Sequence, residues 1–276
     1  MKTHEPDVTS KMHDSPMEKM PGHWLLARMG KRVLRPGGRE LTQRLLASLA
    51  IDSADEVVEF APGLGDTAQV TLARHPLSYT AVERDPEAAA TVRQILSRPN
   101  QQCVLGTAEQ TGLTEAFASV VYGEAMLSMQ LPAAKARIAA EAVRLLRPGG
   151  RYGIHELCLR PDDVPGEIRE AIANDLSDEI HVGVRPLTSI EWRQLLESVG
   201  LVVTSVEMAP MRLLEPSRLV RDDGFFQAIR FVFNLARHPS VRRRVLAMRR
   251  VFGKYEQHLA AVAIVAAKPQ NHVCEN

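Results

Sequence analysis

The sequence predicts an α/β protein, a parallel sheet with helices on both faces. Three observations carry this. Short apolar runs alternate with helix-period segments from Glu56 to Met208. The first run, Glu56–Phe60, opens into the turn Ala61-Pro62-Gly63-Leu64-Gly65, followed by a helical pattern from Thr67 to Arg74. Glycines in such a turn adopt φ > 0 and let backbone lie against a ligand, while the next helix offers it free N–H groups. Near the end, Leu259–Ala267 is apolar throughout, as a buried strand is.

Taken in order, residues 1–20 are polar, without apolar period, and read as a tail in which His4 and His13 are solvated rather than metal ligands. Pro21–Gly30 begins an amphipathic segment. A turn at Arg35-Pro36-Gly37-Gly38 leads to a helix over Arg39–Leu49, with Leu41, Leu45, Leu46 and Leu49 on one face. These helices either pad the sheet edge or form a lid. His23 and Trp24, two large polar-tipped aromatics at a helix start, favour the lid. The second strand is Tyr79–Glu83. A helix over Pro86–Leu96 follows, with proline in its first turn, where a missing N–H costs nothing. Gln102–Leu105 and Ser119–Gly123 are the third and fourth strands. A helix over Pro132–Leu146 stops at Pro148-Gly149-Gly150, and Arg151–Glu156 is the fifth strand.

An insertion, Arg160–Pro186, precedes a helix over Ser189–Val199 and a sixth strand, Val202–Met208. Ala209–His258 then separates it from the last strand. Phe225–Leu235 is apolar enough to be buried, and Val241, Val245, Met248 and Phe252 recur at helical spacing. Arg242, Arg243, Arg244, Arg249 and Arg250 occupy the remaining faces. That basic face is either the solvated side of a packed helical cap or a contact for an anionic substrate or acidic membrane surface. The division expected is an N-terminal tail and helical lid, 1–50, and a main domain, 51–276, with its helical insertion at 209–258.

The 276 residues are 45% apolar and 24% charged, as in ordinary globular proteins, and a net charge of +1 argues against nucleic acid as a partner. Cys103, Cys158 and Cys274 are widely spaced without a CxxC, which excludes a disulfide framework and a zinc site; no metal is expected. No secretory signal or ~18-residue apolar run is visible, so a cytoplasmic protein without a transmembrane segment is expected.

Glu59 is an acid four residues before the first turn glycine, where a dinucleotide-binding turn stays apolar. It would repel a pyrophosphate and attract an ammonium. Glu83 ends the second strand ~20 residues beyond the turn, where a carboxylate accepts from ribose hydroxyls. A ligand with an ammonium and a ribose but no phosphate suggests S-adenosylmethionine. From Asp55 to Glu156 the chain resembles the class I S-adenosylmethionine-dependent methyltransferases, in particular the small-molecule group of methyltransferase-domain-11/25 type. It shares with them Gly106-Thr107-Ala108-Glu109 and Leu146-Arg147-Pro148-Gly149-Gly150. Thr107 stands where these enzymes carry an Asp that accepts from the adenine amino group, leaving Glu109 or a backbone group for that contact.

The resemblance implies a Rossmann-like sheet of seven strands, with the last antiparallel and beside the sixth. It implies a cofactor site of Glu59, Ala61, Pro62, Gly63, Gly65, Glu83, Arg84, Thr107, Ala108, Glu109 and Glu124, and a lid from the segment before the first strand. Gly123-Glu124-Ala125-Met126 after the fourth strand is not the Asn/Asp-Pro-Pro-Tyr/Phe of enzymes that methylate nucleobase or glutamine nitrogens, so a small molecule is the expected substrate. His155 and Glu124 are the catalytic candidates. His155 is either a base or a structural histidine. His23, Trp24, Met126, Met129 and His181 are the substrate-contact candidates. A noncatalytic cofactor-binding or scaffold protein, or a nicotinamide-dependent oxidoreductase, are the competing functions. The insertion at 209–258 is expected either to close over the substrate or to form a homodimer interface.

Overall fold

The computed structural model describes residues 19–211 and 213–270; His4, His13 and Cys274 lie outside them. Eight strands form one sheet: β1 Glu56–Phe60, β2 Ser78–Glu83, β3 Gln101–Leu105, β4 Ala118–Glu124, β5 Leu146–Leu159, β6 Leu187–Thr188, β7 Val202–Pro210 and β8 Leu259–Ala267. Their order is β3-β2-β1-β4-β5-β8-β7, with β6 paired only to the end of β5. Strands β1 to β5 run parallel, and β8 runs antiparallel between β5 and β7. The seven-stranded path thus gains one two-residue strand. β5 outruns the expected Arg151–Glu156 because the apolar β8 pairs with it from Arg151 as far as Leu159.

Helices α2 (Gly38–Leu49), α3 (Asp66–Leu72), α4 (Pro86–Arg93), α5 (Pro132–Leu145) and α7 (Ser189–Ser198) cover the sheet. The side-chain period of two sorts each strand between two cores. Val57, Tyr79, Val120 and Tyr122 meet Leu41, Leu45, Leu46 and Leu49 of α2. Val58, Phe60, Val121 and Ile154 meet Ile138, Ala142 and Leu145 of α5. Gly153 is needed on the α2 side, since a Cβ there would come within 2.9 Å of Leu49.

The additions to this layer pack on one another. Helix α1 (Gly22–Arg28) joins α8 (Pro216–Asp223), α9 (Phe225–Arg237) and α10 (Pro239–Lys254). Met20, Leu25 and Leu26 share a core with Leu219, Phe231, Val245 and Met248, so Met20, expected as part of the tail, is a core residue. α6 (Gly166–Ile180) lies within the Arg160–Pro186 insertion and packs against the same cap through Ile180. The end of α8 fastens the segment before α2. Asp223 accepts from the N–H groups of Arg32 and Val33 at 2.8 and 2.9 Å and pairs with the buried Lys31 at 2.9 Å. Asp222 accepts from the N–H of Arg39 at 3.2 Å. The expected burial of α9 holds for one side only. Ala228 and Phe231 are buried, whereas Phe225, Phe226, Ile229, Val232 and Phe233 are exposed.

Asp223→Ala leaves the Lys31 ammonium buried without its partner, and urea unfolding should register a loss of roughly 3–5 kcal/mol. A change below about 1 kcal/mol, the range of an exposed ion pair, would show that the clasp is not holding the segment.

Candidate active site

The carboxyl ends of the parallel strands, where open α/β sheets bind ligands, face the cap across a cavity of about 760 Å³. β1 and β4 leave the sheet through Ala61 at φ 51° and Ala125 at φ 52°, both in the left-handed region that L-residues seldom adopt. Hydrogen bonds hold these turns: Ala61 N–H donates to Val82 O at 2.8 Å and Ala125 N–H to His155 O at 2.7 Å. Such held strain is characteristic of sites.

Register and the period of two place Glu59, Tyr122, Glu124 and His155 on the α2 side of the sheet. Glu59 Oε2 accepts from Tyr79 and Tyr122 hydroxyls at 2.5 and 2.6 Å. Burial pushes its carboxyl up to about 7 despite these hydrogen bonds. Glu124 meets the opposite outcome. Burial disfavours its charge, but the Arg35 guanidinium, the His155 ring and Thr42 overcome that and hold it down to about 2. Its Oε1 accepts from Thr42 at 2.6 Å and lies 2.7 Å from His155 Nδ1. Oε2 accepts from Thr67 and lies 3.5 Å from Arg35 Nε. Arg35 also pairs with Asp66 at 2.9 Å, as Arg39 does at 2.8 Å.

His155 is fully buried, and its Nε2 donates to Pro36 O. Both ring nitrogens are thus engaged by the protein, and the ring is not part of the cavity wall. Glu156, one residue on, points to the α5 side. It accepts from the N–H groups of Met126, Leu127 and Ser128 at 2.7–3.0 Å and so caps the 3-10 turn Leu127–Met129.

Glu83 is buried and borders the cavity. Its Oε2 accepts from Gly63 N–H at 3.1 Å, and its Oε1 from Arg84 and Asp85 N–H at 2.8 and 3.0 Å. Pro62, Gly63, Arg84, Thr107, Ala108 and Glu109 lie along the same wall, and Glu109 is paired to Arg137 at 2.6 Å. His23 and Trp24 line the cap side, as do Met126 and Met129 at the foot of β4. Burial and the nearby Arg84 charge lower the His23 ring to about 4, so it is neutral at pH 7, and its Nδ1 is buried without a hydrogen-bond partner. The apolar end of the cavity is finished by Leu157, Val182, Val184, Met211, Met248 and Phe252.

Two expected residues point elsewhere. His181 caps α6 at φ 58° and is exposed, while its neighbours Ile180 and Val182 line the cavity. Gly65 sits at φ 75° with its missing Cβ directed 2.8 Å from Ile95 Cδ1, into the packing of α3 rather than the cavity. Gly63, at φ 57°, faces open space. Arg35, Thr42, Thr67, Tyr79 and Tyr122 were not singled out in the sequence. The signal for the tyrosines was a hydroxyl inside an apolar strand, which needs a partner.

Residues 58–154 match the family model described as "Methyltransferase domain". A protein of Haemophilus influenzae, described only as uncharacterized, is 27% identical over 251 residues, covering 90% of this chain and 98% of that one. Among solved structures, the [4+2]-cyclase SpnF superposes with a TM-score of 0.68 at 16% identity, covering 93% of this chain and 98% of that one. Phosphoethanolamine N-methyltransferase 2 of Haemonchus contortus, in complex with S-adenosyl-L-methionine, gives 0.66 at 12% identity, covering 86% of this chain and 54% of that one. The fold is that of the class I S-adenosylmethionine-dependent methyltransferase superfamily.

The two turn glycines should respond differently to a side chain. Both sit at positive φ, so a valine at either carries backbone strain. Gly63→Val meets no packed neighbour and projects into the cavity, so it should abolish ligand binding at the turn with only that strain lowering the melting temperature. Gly65→Val adds a clash with Ile95 and should lower the melting temperature further. A larger drop in the Gly63 variant than in the Gly65 variant would show that Gly63 does not face open space.

Proposed function

We propose that this protein is an S-adenosylmethionine-dependent methyltransferase acting on a small apolar molecule. One observation carries the reading: two unlike sets of residues line the one cavity. One comprises the glycine turn, Glu59, Glu83 and Thr107–Glu109. The other comprises Met126, Met129, Val184, Met248 and Phe252.

The first set suits the cofactor. Gly63 leaves space where a Cβ would intrude. Glu83 keeps one acceptor site, on Oε2, for a ribose hydroxyl beyond the three spent on the turn. Glu59 supplies a carboxylate for a cationic group, in a pocket where Tyr79 and Tyr122 already fix one of its oxygens. When bound, the cofactor supplies a methyl group on a sulfonium, a donor that needs alignment more than activation.

This chain's residues then hold and enclose. The Arg35–Glu124–His155 network ties the segment before α2 against the strand ends. The cap covers the apolar set and excludes water from charges that redistribute during transfer. His155 and Glu124 are positioning residues in this reading, not the catalytic pair expected. The N-terminal segment serves as the expected lid.

Transfer of labelled methyl from S-adenosylmethionine to a panel of lipophilic alcohols, amines and phenols tests the reading. The likeness to a [4+2]-cyclase, whose named activity is not methyl transfer, leaves one other reading, a noncatalytic cofactor-binding or scaffold protein of this fold. Tight cofactor binding with no labelled product from any extract would favour it. Tight NAD binding without S-adenosylmethionine binding would reject both.

Glu83→Ala should weaken cofactor binding by roughly 1–3 kcal/mol through unpaired polar groups. Unchanged affinity in a folded variant would remove Glu83 from the site. A cation beside Glu59 favours its ionised form, so binding should displace a proton near neutrality. Affinity then falls as pH drops below about 7 and levels off above it. Calorimetry in buffers of different ionisation enthalpy reads the proton, and Glu59→Gln should flatten the profile. A wild-type affinity independent of pH between 6 and 8, about a unit either side of that value, would place no cation there.

A further inference from the structure

We propose that the outer face of α9, with the arginines of α10, docks this protein on an anionic lipid bilayer. Large apolar side chains cover that face. Phe225 is 62% exposed, Phe226 85%, Ile229 52%, Val232 58% and Phe233 56%. At roughly 100° per residue they fall on one side of the helix, opposite the buried Ala228 and Phe231. The phenyl rings of Phe225 and Phe226 meet edge-on at 5.9 Å between centroids. A contiguous exposed stripe of this kind marks an interaction surface.

The charge around it selects the partner. No Asp or Glu occurs from Gly224 to Tyr255, although the chain as a whole carries only +1. Arg230 and Arg237 are exposed beside the stripe, and Arg242, Arg243, Arg249 and Arg250 are exposed on α10. The Arg237 guanidinium lies over the Phe233 ring at 5.4 Å. Aromatic rings beside arginines, with no acid between, suit the boundary between acyl chains and anionic headgroups. A second copy fits less well. A two-fold interface would set this stripe against itself and bring two sets of arginines together.

The position also suits a substrate that resides in the bilayer. Met248 and Phe252 of α10 line the cavity, so one of the two docking helices is also part of its wall. That extension rests on the methyl-transfer reading; the docking does not.

The test is sedimentation of the full-length protein with vesicles of phosphatidylglycerol and phosphatidylcholine, against vesicles of phosphatidylcholine alone, at low and high salt. Light scattering without lipid gives the oligomeric state. Wild-type protein should sediment with the anionic vesicles, release at high salt, and leave neutral vesicles unbound. Phe225→Ser/Phe226→Ser/Phe233→Ser should bind at least tenfold more weakly, at an unchanged melting temperature, because all three rings are exposed. Arg242→Glu/Arg243→Glu, also exposed, should lose roughly tenfold or more. The proposal is overturned if wild-type protein stays in the supernatant with anionic vesicles, or if the phenylalanine variant sediments as before. It is also overturned if a lipid-free dimer forms that the phenylalanine variant dissociates, which would assign the face to a second copy. Because no cofactor or substrate is present, failure here leaves the methyl-transfer reading standing.

Discussion

The arrangement around the cavity depends on one buried carboxylate, that of Glu124. It joins parts of the chain that share no sequence neighbourhood: Thr42 at the start of α2, Thr67 in the first turn of α3, and His155 on the adjacent strand. Arg35 closes the group and carries it on to Asp66. Removing charges from water is costly, and such a cluster is tolerable only when each lone pair and proton has a partner. Here the positive and negative groups alternate, which is why Glu124 stays ionised while Glu59, served by neutral tyrosines, does not share its low range. With Pro36 O bound to His155, the network sets where the segment before α2 must lie.

The same network shows how strand periodicity divides labour. His155 and Glu156 are adjacent in sequence and act on opposite faces of the sheet. One holds the N-terminal segment and the other caps the turn after β4. Neighbouring titratable residues at a strand end are therefore poor candidates for one catalytic pair. Residues facing the same side across strands, such as Glu124 and His155, are the ones that meet.

The sheet, its glycine turn and its apolar last strand were legible because they depend on periodicity and on backbone demands local to the chain. Glu59 and Glu83 could be read for the same reason: each ends a strand, and strand ends face the ligand side. What stayed hidden depends on direction or on distant partners. Thr42 sits among the leucines of α2 and reads as apolar filler until Glu124 is placed beside it. His181 lies between Ile180 and Val182, which line the cavity, but the left-handed helix terminus turns it to solvent. Gly63 and Gly65 look alike in sequence, but only the folded turn shows which one fronts empty space. The apolar character of α9 was visible and pointed to burial, whereas which of its sides would be covered was not.

β8 is the last strand in the chain, yet it lies inside the sheet, between β5 and β7. Until it leaves the ribosome, those two strands have no neighbour on their facing edges and present unpaired backbone groups to other chains. The clasp from Asp223 to Lys31 spans 192 positions and also waits on late synthesis. The cavity therefore cannot be assembled progressively behind the emerging chain. It closes only once β8 has been made, and until then the chain exposes strand edges of the kind that chaperones shield.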